Sequence, residues 1–348
     1  MTIREAIDAI VSHGRPLSEA EAADVMREIM SGQATPAQIG AFLVALRLKG
    51  ETVDEITGMA RVMREHALAV PTGDVSGLVD TCGTGGDASG TFNVSTAAAF
   101  VVAAAGAPVA KHGNRAMTSA CGSADVLEAL GAKIDLPPEH VARCIREVGI
   151  GFMFAPVFHP AMKNVAGPRR EIGVRTVFNI LGPLTNPAGA AHQLLGVARP
   201  ELAPLLAEVL GRLGARHALV VHGCGGLDEL SLSGPSTVHE LREGGLRKYA
   251  VSPEDVGLAA APNEALRAVP AGRQGGSPEE NADALRAVLD GRPGPLRDIT
   301  LLNSAAALVA ADLAPDIKEG VGLAAQAIDS GAARDKLNAF VELTGSLA

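Results

Sequence analysis

The sequence predicts an α/β fold: a small all-helical N-terminal domain over residues 1–73, then a larger α/β domain over 74–348 with a mainly parallel central sheet flanked by helices. Three observations lead there. Up to about residue 70, apolar residues recur at helical spacing only. From Leu78 onward, short apolar runs alternate with helical patterns, as βαβ units require. The composition, with 40 glycines and 3% aromatic residues in 348, favours close-packed layers of helix on sheet over a β-sandwich.

Taken in order, Ile3, Ile7, Ile10 and Val11 share one helical face. Ser18 with Glu21 forms a capping box ahead of Ala22, Val25, Met26 and Ile29. Thr35-Pro36 opens a third helix with the stripe Ile39, Phe42, Leu43 and Leu46, stopped by Gly50. Thr52 with Glu55 caps a fourth, carrying Val53, Ile56, Ala60 and Met63. These stripes read as core or as a dimer face. The α/β part is expected to place strands at 78–79, 108–111, 151–154, 194–198 and 217–222. Helices are expected over 97–105, 123–130, 138–148 and 201–213, with a hairpin over 236–250 turning at Gly244-Gly245. A further helix is expected from about His159-Pro160, and the tail from Ile299 reads as helical. Residues 272–278 read as a flexible surface loop.

The totals exclude several classes. A formal charge of −9 argues against nucleic acid or an anionic membrane as the main partner. Cys82, Cys121, Cys144 and Cys224 are scattered without CxxC spacing, which fits a reduced, cytoplasmic interior and disfavours zinc. The chain opens on an amphipathic helix rather than a secretory signal, and no apolar run approaches the roughly 20 residues of a membrane span.

The stretch from Asp80 to Thr96 organises the chain. It runs strand, glycine turn, helix, the order of a phosphate cradle. Gly83, Gly85 and Gly86 carry no Cβ, so the turn can adopt positive φ and its N–H groups can close on an anion. A helix capped by Asn93 or Ser95 would add the positive end of its dipole. The pattern matches neither GxGxxG nor GxxxxGK[ST], which disfavours a dinucleotide fold and a Walker loop. Thr91, Asn93, Ser95 and Thr96 supply more short hydrogen-bonding side chains than capping needs.

A second strand, polar glycine loop and helix follow at 111–123. Lys111 and Arg115, beside three hydroxyls, are expected to make a local electropositive pocket, against the plainer reading of a solvated, paired loop. In a parallel sheet the two loops emerge at the same strand ends, where such sheets bind ligands. Two phosphate-type loops at one edge imply a ligand with more than one phosphate. Arg169-Arg170 offer a fork for a planar carboxylate, or a surface ion pair with Glu171. Asp228-Glu229, on a glycine loop after a buried strand, suit Mg²⁺, which is usually held by one or two carboxylates plus substrate phosphates.

Seven segments in unbroken order carry a resemblance: GTGGD at 83–87, TFNVST at 91–96, KHGNR at 111–115, GSAD at 122–125, FHPAMKNV at 158–165, the gapped RRE-IG-V-RT-FN-LGPLTNP at 169–187, and GLDELS at 226–231. Together they resemble anthranilate phosphoribosyltransferase, the tryptophan-pathway family, over essentially the whole chain. The resemblance implies a homodimer whose helical domain is completed by about residues 165–186. It implies transfer of a phosphoribosyl group from 5-phosphoribosyl 1-pyrophosphate to the amine of anthranilate, with Mg²⁺, two ions being expected. Carried over, Gly83, Gly86, Asp87, Thr91, Asn93, Val94, Ser95 and Thr96 would cradle the pyrophosphate and ribose. Lys111, His112, Gly113, Asn114, Arg115, Ala116, Met117, Thr118 and Ser119, with Ser123, would form a mobile loop over the phosphoribosyl group. Gly83, Asn114 and Arg169 would hold anthranilate, with His112 nearby. Ser95, Asp228 and Glu229 would hold metal.

The chain departs from the family pattern at Ala120-Cys121, where lysine-serine is more usual, so weaker phosphate binding is expected. Gly167-Pro168 stands where an apolar residue is more usual, leaving that turn's shape open. Two rivals are a pyrimidine nucleoside phosphorylase-like enzyme and a non-catalytic relative that binds nucleic acid. The acidic pair and the KHGNR loop favour the transferase over the first; the net charge weighs against the second.

Overall fold

The computed structural model describes residues 1–116, 120–269 and 276–348. Four helices come first: α1 (Ile3–His13), α2 (Glu19–Met30), α3 (Pro36–Lys49) and α4 (Val53–Glu65). Each is opened by a capping box, with Thr2, Ser18, Thr35 and Thr52 accepting from the N3 backbone. Such a box satisfies two otherwise orphaned N–H groups at once, so these boundaries are written locally in the sequence.

The α/β part then runs β1 (Val79–Gly83), α5 (Val94–Ala104), β2 (Val109–Gly113), α6 (Ser123–Ala129), α7 (Pro138–Val148) and β3 (Ile150–Phe154). It continues with α8 (Ala155–Phe158), α9 (Lys163–Ile172), α10 (Phe178–Leu181), β4 (His192–Gly196), α11 (Leu202–Arg212) and β5 (His217–His222). The strands β6 (Ser236–Arg242) and β7 (Gly245–Val251) come next. The chain ends in α12 (Pro278–Leu289), α13 (Pro295–Ala310), α14 (Ile317–Asp329) and α15 (Ala332–Leu347).

The strands form one sheet in the order β3-β2-β1-β4-β5-β6-β7. From β3 to β5 the pairing is parallel; β6 and β7 add an antiparallel hairpin. The central strands read as continuous apolar runs because both faces are covered. Along β5 the faces alternate: Leu219 and Val221 join one core, Ala218 and Val220 the other. The first core lies between the sheet and α5, α7, α13 and α15. The second gathers the N-terminal helices, α11 and the residues Val165, Val177, Phe178, Ile180, Leu181 and Leu184. Segment 165–184 therefore packs with the helices that open the chain.

Some expectations need correction. Pro168 stands inside α9, so Gly167-Pro168 forms no turn, and Arg169 and Arg170 occupy the last turn of that helix. Gly173, at φ +66°, ends it in the left-handed conformation that glycine takes without strain. The tail contains an additional helix, α12, and α13 begins at Pro295, before Ile299. Of the expected loop over 272–278, residues 272–275 lie outside the described residues, and Pro278 opens α12.

Candidate active site

The chain leaves β1 for β2 and β3 on one side and returns to β4 and β5 on the other, so the order switches between β1 and β4. Ligands of open α/β sheets bind beyond the carboxyl ends of the strands at such a switch. The loops after β1, β2 and β5 meet there.

Asp228 reaches back across the sheet to the glycine loop, accepting the Gly85 N–H at 2.7 Å. Its carboxylate fills the space a side chain at Gly83 would need, and Gly196 lies flush against the Asp228 backbone. Burial, then the neighbouring Asp87, raises its proton affinity above the ordinary carboxylate range. Glu229 is buried and raised further, by desolvation and then Asp228, while Lys111 and the Ser95 N–H oppose the shift. Asp87 accepts the Ser89 N–H through Oδ1 at 3.2 Å; its buried Oδ2 has no hydrogen-bond partner.

Lys111 lies beneath this group, 3% exposed. Its Nζ donates to Thr81 O at 2.5 Å and to Ser95 Oγ at 3.3 Å. Burial lowers its pKa, countered by Asp80. Asp80 itself is fully buried and pushed up to about 6 by desolvation; it accepts Asn186 Nδ2 at 2.8 Å and the His112 N–H at 3.3 Å. Arg115 is engaged elsewhere, paired with Asp125 and Glu128 and stacked 5.4 Å above the Phe154 ring. The electropositive pocket expected from Lys111 and Arg115 is therefore absent: among the described residues both charges are neutralised by carboxylates or held by the backbone under the sheet edge.

The loops after β1 and β2 touch. Asn93 takes the N-cap position of α5 but forms no side-chain cap; its Nδ2 donates to Cys121 O at 3.2 Å and its buried Oδ1 has no partner. Thr91 pairs with Ser89 through their hydroxyls at 3.1 Å, Val94 is buried, and buried Thr96 Oγ1 has no partner. Gly113 faces Ser123 Oγ and the Phe152 ring. Ser123 donates to Asn114 O at 3.3 Å, and Asn114 Oδ1 accepts the Arg115 N–H at 2.7 Å. Asp125 closes this loop by accepting the N–H groups of Ala116 and Gly122, both at 2.9 Å. Met117, Thr118 and Ser119 lie outside the described residues.

The His112 and His159 rings lie against each other, centroids 5.0 Å apart and planes tilted by 52°. His112 Nδ1 meets Gly182 O at 3.2 Å, and both Nε2 atoms are buried without partners. Burial holds their pKa values down, to about 3 and about 4. Arg169, half-buried, lies 5.4 Å above the Phe178 ring and has no carboxylate partner among the described residues.

A sequence model of the glycosyl transferase family, a/b domain, matches residues 76–334, and one of the same family's helical bundle domain matches 4–67. The chain is 60% identical to anthranilate phosphoribosyltransferase of Chloroflexus aurantiacus, covering 99% of both chains. The chain belongs to the anthranilate phosphoribosyltransferase family. The crystal structure of the Thermus thermophilus member superposes with a TM-score of 0.90 at 50% identity, covering 99% of each chain. The Saccharomyces cerevisiae member in complex with PRPP and Mg gives 0.88 at 29% identity, over 99% of this chain and 98% of that one. Like its family, the chain is a pentosyltransferase with anthranilate as acceptor.

Sequence reasoning missed Asp80, Asn186, Asp125 and Arg175, whose guanidinium lies on Gly86. Arg175 falls within the resembling segment, but only folding brings it to the glycine loop.

Proposed function

We propose that the donor, 5-phosphoribosyl 1-pyrophosphate, seats its diphosphate on residues 83–96 and its phosphoribosyl part under residues 111–123. Anthranilate enters between Asn114 and Arg169. The observation carrying this reading is Asp228 held against Asp87 and the Gly85 N–H, with Glu229 beside it at the Ser95 N–H and Lys111 as their only buried cation among the described residues.

Buried like charges of this kind fit bound cations. Among the described residues no three His, Cys, Asp or Glu close on one point as a ready metal cage. That suits Mg²⁺, which keeps several waters and takes one or two carboxylates plus substrate phosphates. Ser95 would hold one ion, and Asp228 with Glu229 the other. When bound, Mg²⁺ supplies neutralisation of the charge that develops on the departing diphosphate.

The chain's own groups do the rest. Leaving of diphosphate from the anomeric carbon gives an oxocarbenium-like state, for which the site's work is electrostatic and positional. N–H groups of the glycine loop and of the first turn of α5 face the diphosphate. The Arg169 guanidinium grips the acceptor's carboxylate and so aims its amine at C1. An aromatic amine is neutral at pH 7, so its lone pair attacks C1 as the bond to diphosphate breaks. The proton then shed by the acidic anilinium nitrogen passes to water or the departing diphosphate without an assigned general base. His112, held neutral by burial with Nδ1 on the Gly182 carbonyl, would present an Nε2 lone pair rather than charge to the acceptor.

The helical lobe, residues 1–73 with 165–186, is also the proposed dimer surface. Val11 and Leu48 are 67% and 82% exposed, and Val44 stands one turn before Leu48 on α3. Light scattering of Leu48→Glu against the unaltered chain tests it: dimer lost supports the face, dimer kept excludes it. No helix of the described residues is long and apolar enough to cross a membrane.

Loss of anthranilate fluorescence on adding donor and Mg²⁺, abolished by EDTA, tests the activity. Persistent fluorescence at saturating donor would overturn it.

A further inference from the structure

We propose that Arg175 is a substrate-binding residue of this reaction, the cation that takes the outer phosphate of the donor's diphosphate above Gly85-Gly86. The proposal rests on the reading of residues 83–96 as the diphosphate seat, and adds the positive charge that seat otherwise lacks.

The guanidinium lies directly on Gly86, where any side chain would collide with it. Gly86 is thus required twice, for its φ of +84° and for the approach of Arg175. Arg175 Nη1 makes only a long hydrogen bond, 3.5 Å, to Gly85 O. The side chain is exposed and has no carboxylate partner among the described residues. The other cations nearby are occupied. Lys111 is buried under the acids, Arg115 is paired with Asp125 and Glu128, and Arg267 spends its Nε on Ser89 O at 3.1 Å.

The segment holding Arg175 is fixed at both ends. Gly173 closes α9 behind it, and just ahead the Thr176 N–H donates to Asn179 Oδ1 at 3.0 Å. Arg169 and Arg175 stand on one short segment, the first at the acceptor and the second at the glycine loop. A guanidinium gives two parallel N–H bonds to a phosphate, which a lysine cannot reproduce. Charge on the diphosphate grows as its bond to C1 breaks, so this contact strengthens toward the transition state.

The test is calorimetry of pyrophosphate and of the donor, each with Mg²⁺, on the unaltered chain, Arg175→Gln and Arg175→Lys, with melting curves and anthranilate KM. Losing a charge-assisted pair should weaken pyrophosphate binding by about 10- to 100-fold in the glutamine variant. Lysine should recover part of that, with anthranilate KM within about twofold. Pyrophosphate affinity unchanged in Arg175→Gln would overturn the proposal, as would equal losses for both substrates with a lowered melting temperature. If the unaltered chain itself fails to bind pyrophosphate, the seat at 83–96 is what fails, not Arg175 alone.

Discussion

Asp228 and Gly85, 143 positions apart in the chain, are joined by a 2.7 Å hydrogen bond from the glycine N–H to the carboxylate. That bond ties the loop after β5 to the loop after β1 and sets the acids against the glycine loop. Gly83 is what leaves room for it.

Gly83→Ala should therefore act through Asp228. A methyl group there forces the carboxylate aside without straining the backbone, because Gly83 is not in the left-handed region. The expected outcome is a donor KM at least about tenfold higher, the cost of losing a hydrogen bond to a charged group. Steady-state kinetics with the donor varied check it, and an unchanged donor KM would contradict it.

Arg169→Ala should raise the anthranilate KM strongly and leave donor binding alone. The guanidinium is half-buried against Phe178 with no carboxylate among the described residues to satisfy it. Kinetics with each substrate varied in turn separate the two effects.

Acid should remove the contribution that His112 and His159 make to stability. Both are held neutral in the folded chain, near 3 and near 4, against an ordinary 6.5. Below pH 6.5 the unfolded chain takes up protons that the folded chain refuses. The histidine contribution is therefore full near pH 7 and falls as pH drops from about 6.5 toward 4. Asp80 and Asp228, whose folded carboxyls are raised to about 6 and about 7, act in the opposite direction over the same range. The expected loss between pH 7 and 5 is about 2 kcal/mol per ring. Urea unfolding at both pH values, on the unaltered chain and on His159→Gln, should show a smaller loss in the variant.

Gly58→Ala should cost stability and not chemistry. Gly58 lets α4 cross α2 so closely that a side chain would strike the Glu19 carbonyl. Overpacking of this kind costs about 1–3 kcal/mol. A lower melting temperature with unchanged kcat is expected.

What could be read from the sequence follows the range of the interactions. The first four helices are declared by Thr or Ser with Glu or Gln three residues on, so their limits are local. The same signal, Ser277 with Glu280, opens α12, but the glycines just before it masked it as loop. Pro168 misled because a proline past the first turn ordinarily breaks a helix, through a lost backbone bond and a clash with the carbonyl four residues back, yet α9 carries it. Charges misled most. Lys111 and Arg115 advertise a positive pocket in the sequence, yet their partners are Thr81, Ser95, Asp125 and Glu128, chosen by the fold. Arg175 shows the converse, since nothing local links it to Gly86.

On the reading above, the acids after β5 serve the donor's diphosphate through a bound cation. Calorimetry of the donor with and without Mg²⁺, on the unaltered chain and on Glu229→Gln, tests it most directly. Mg²⁺ should tighten donor binding to the unaltered chain and do so little or not at all in the variant. An equal tightening in both would contradict it.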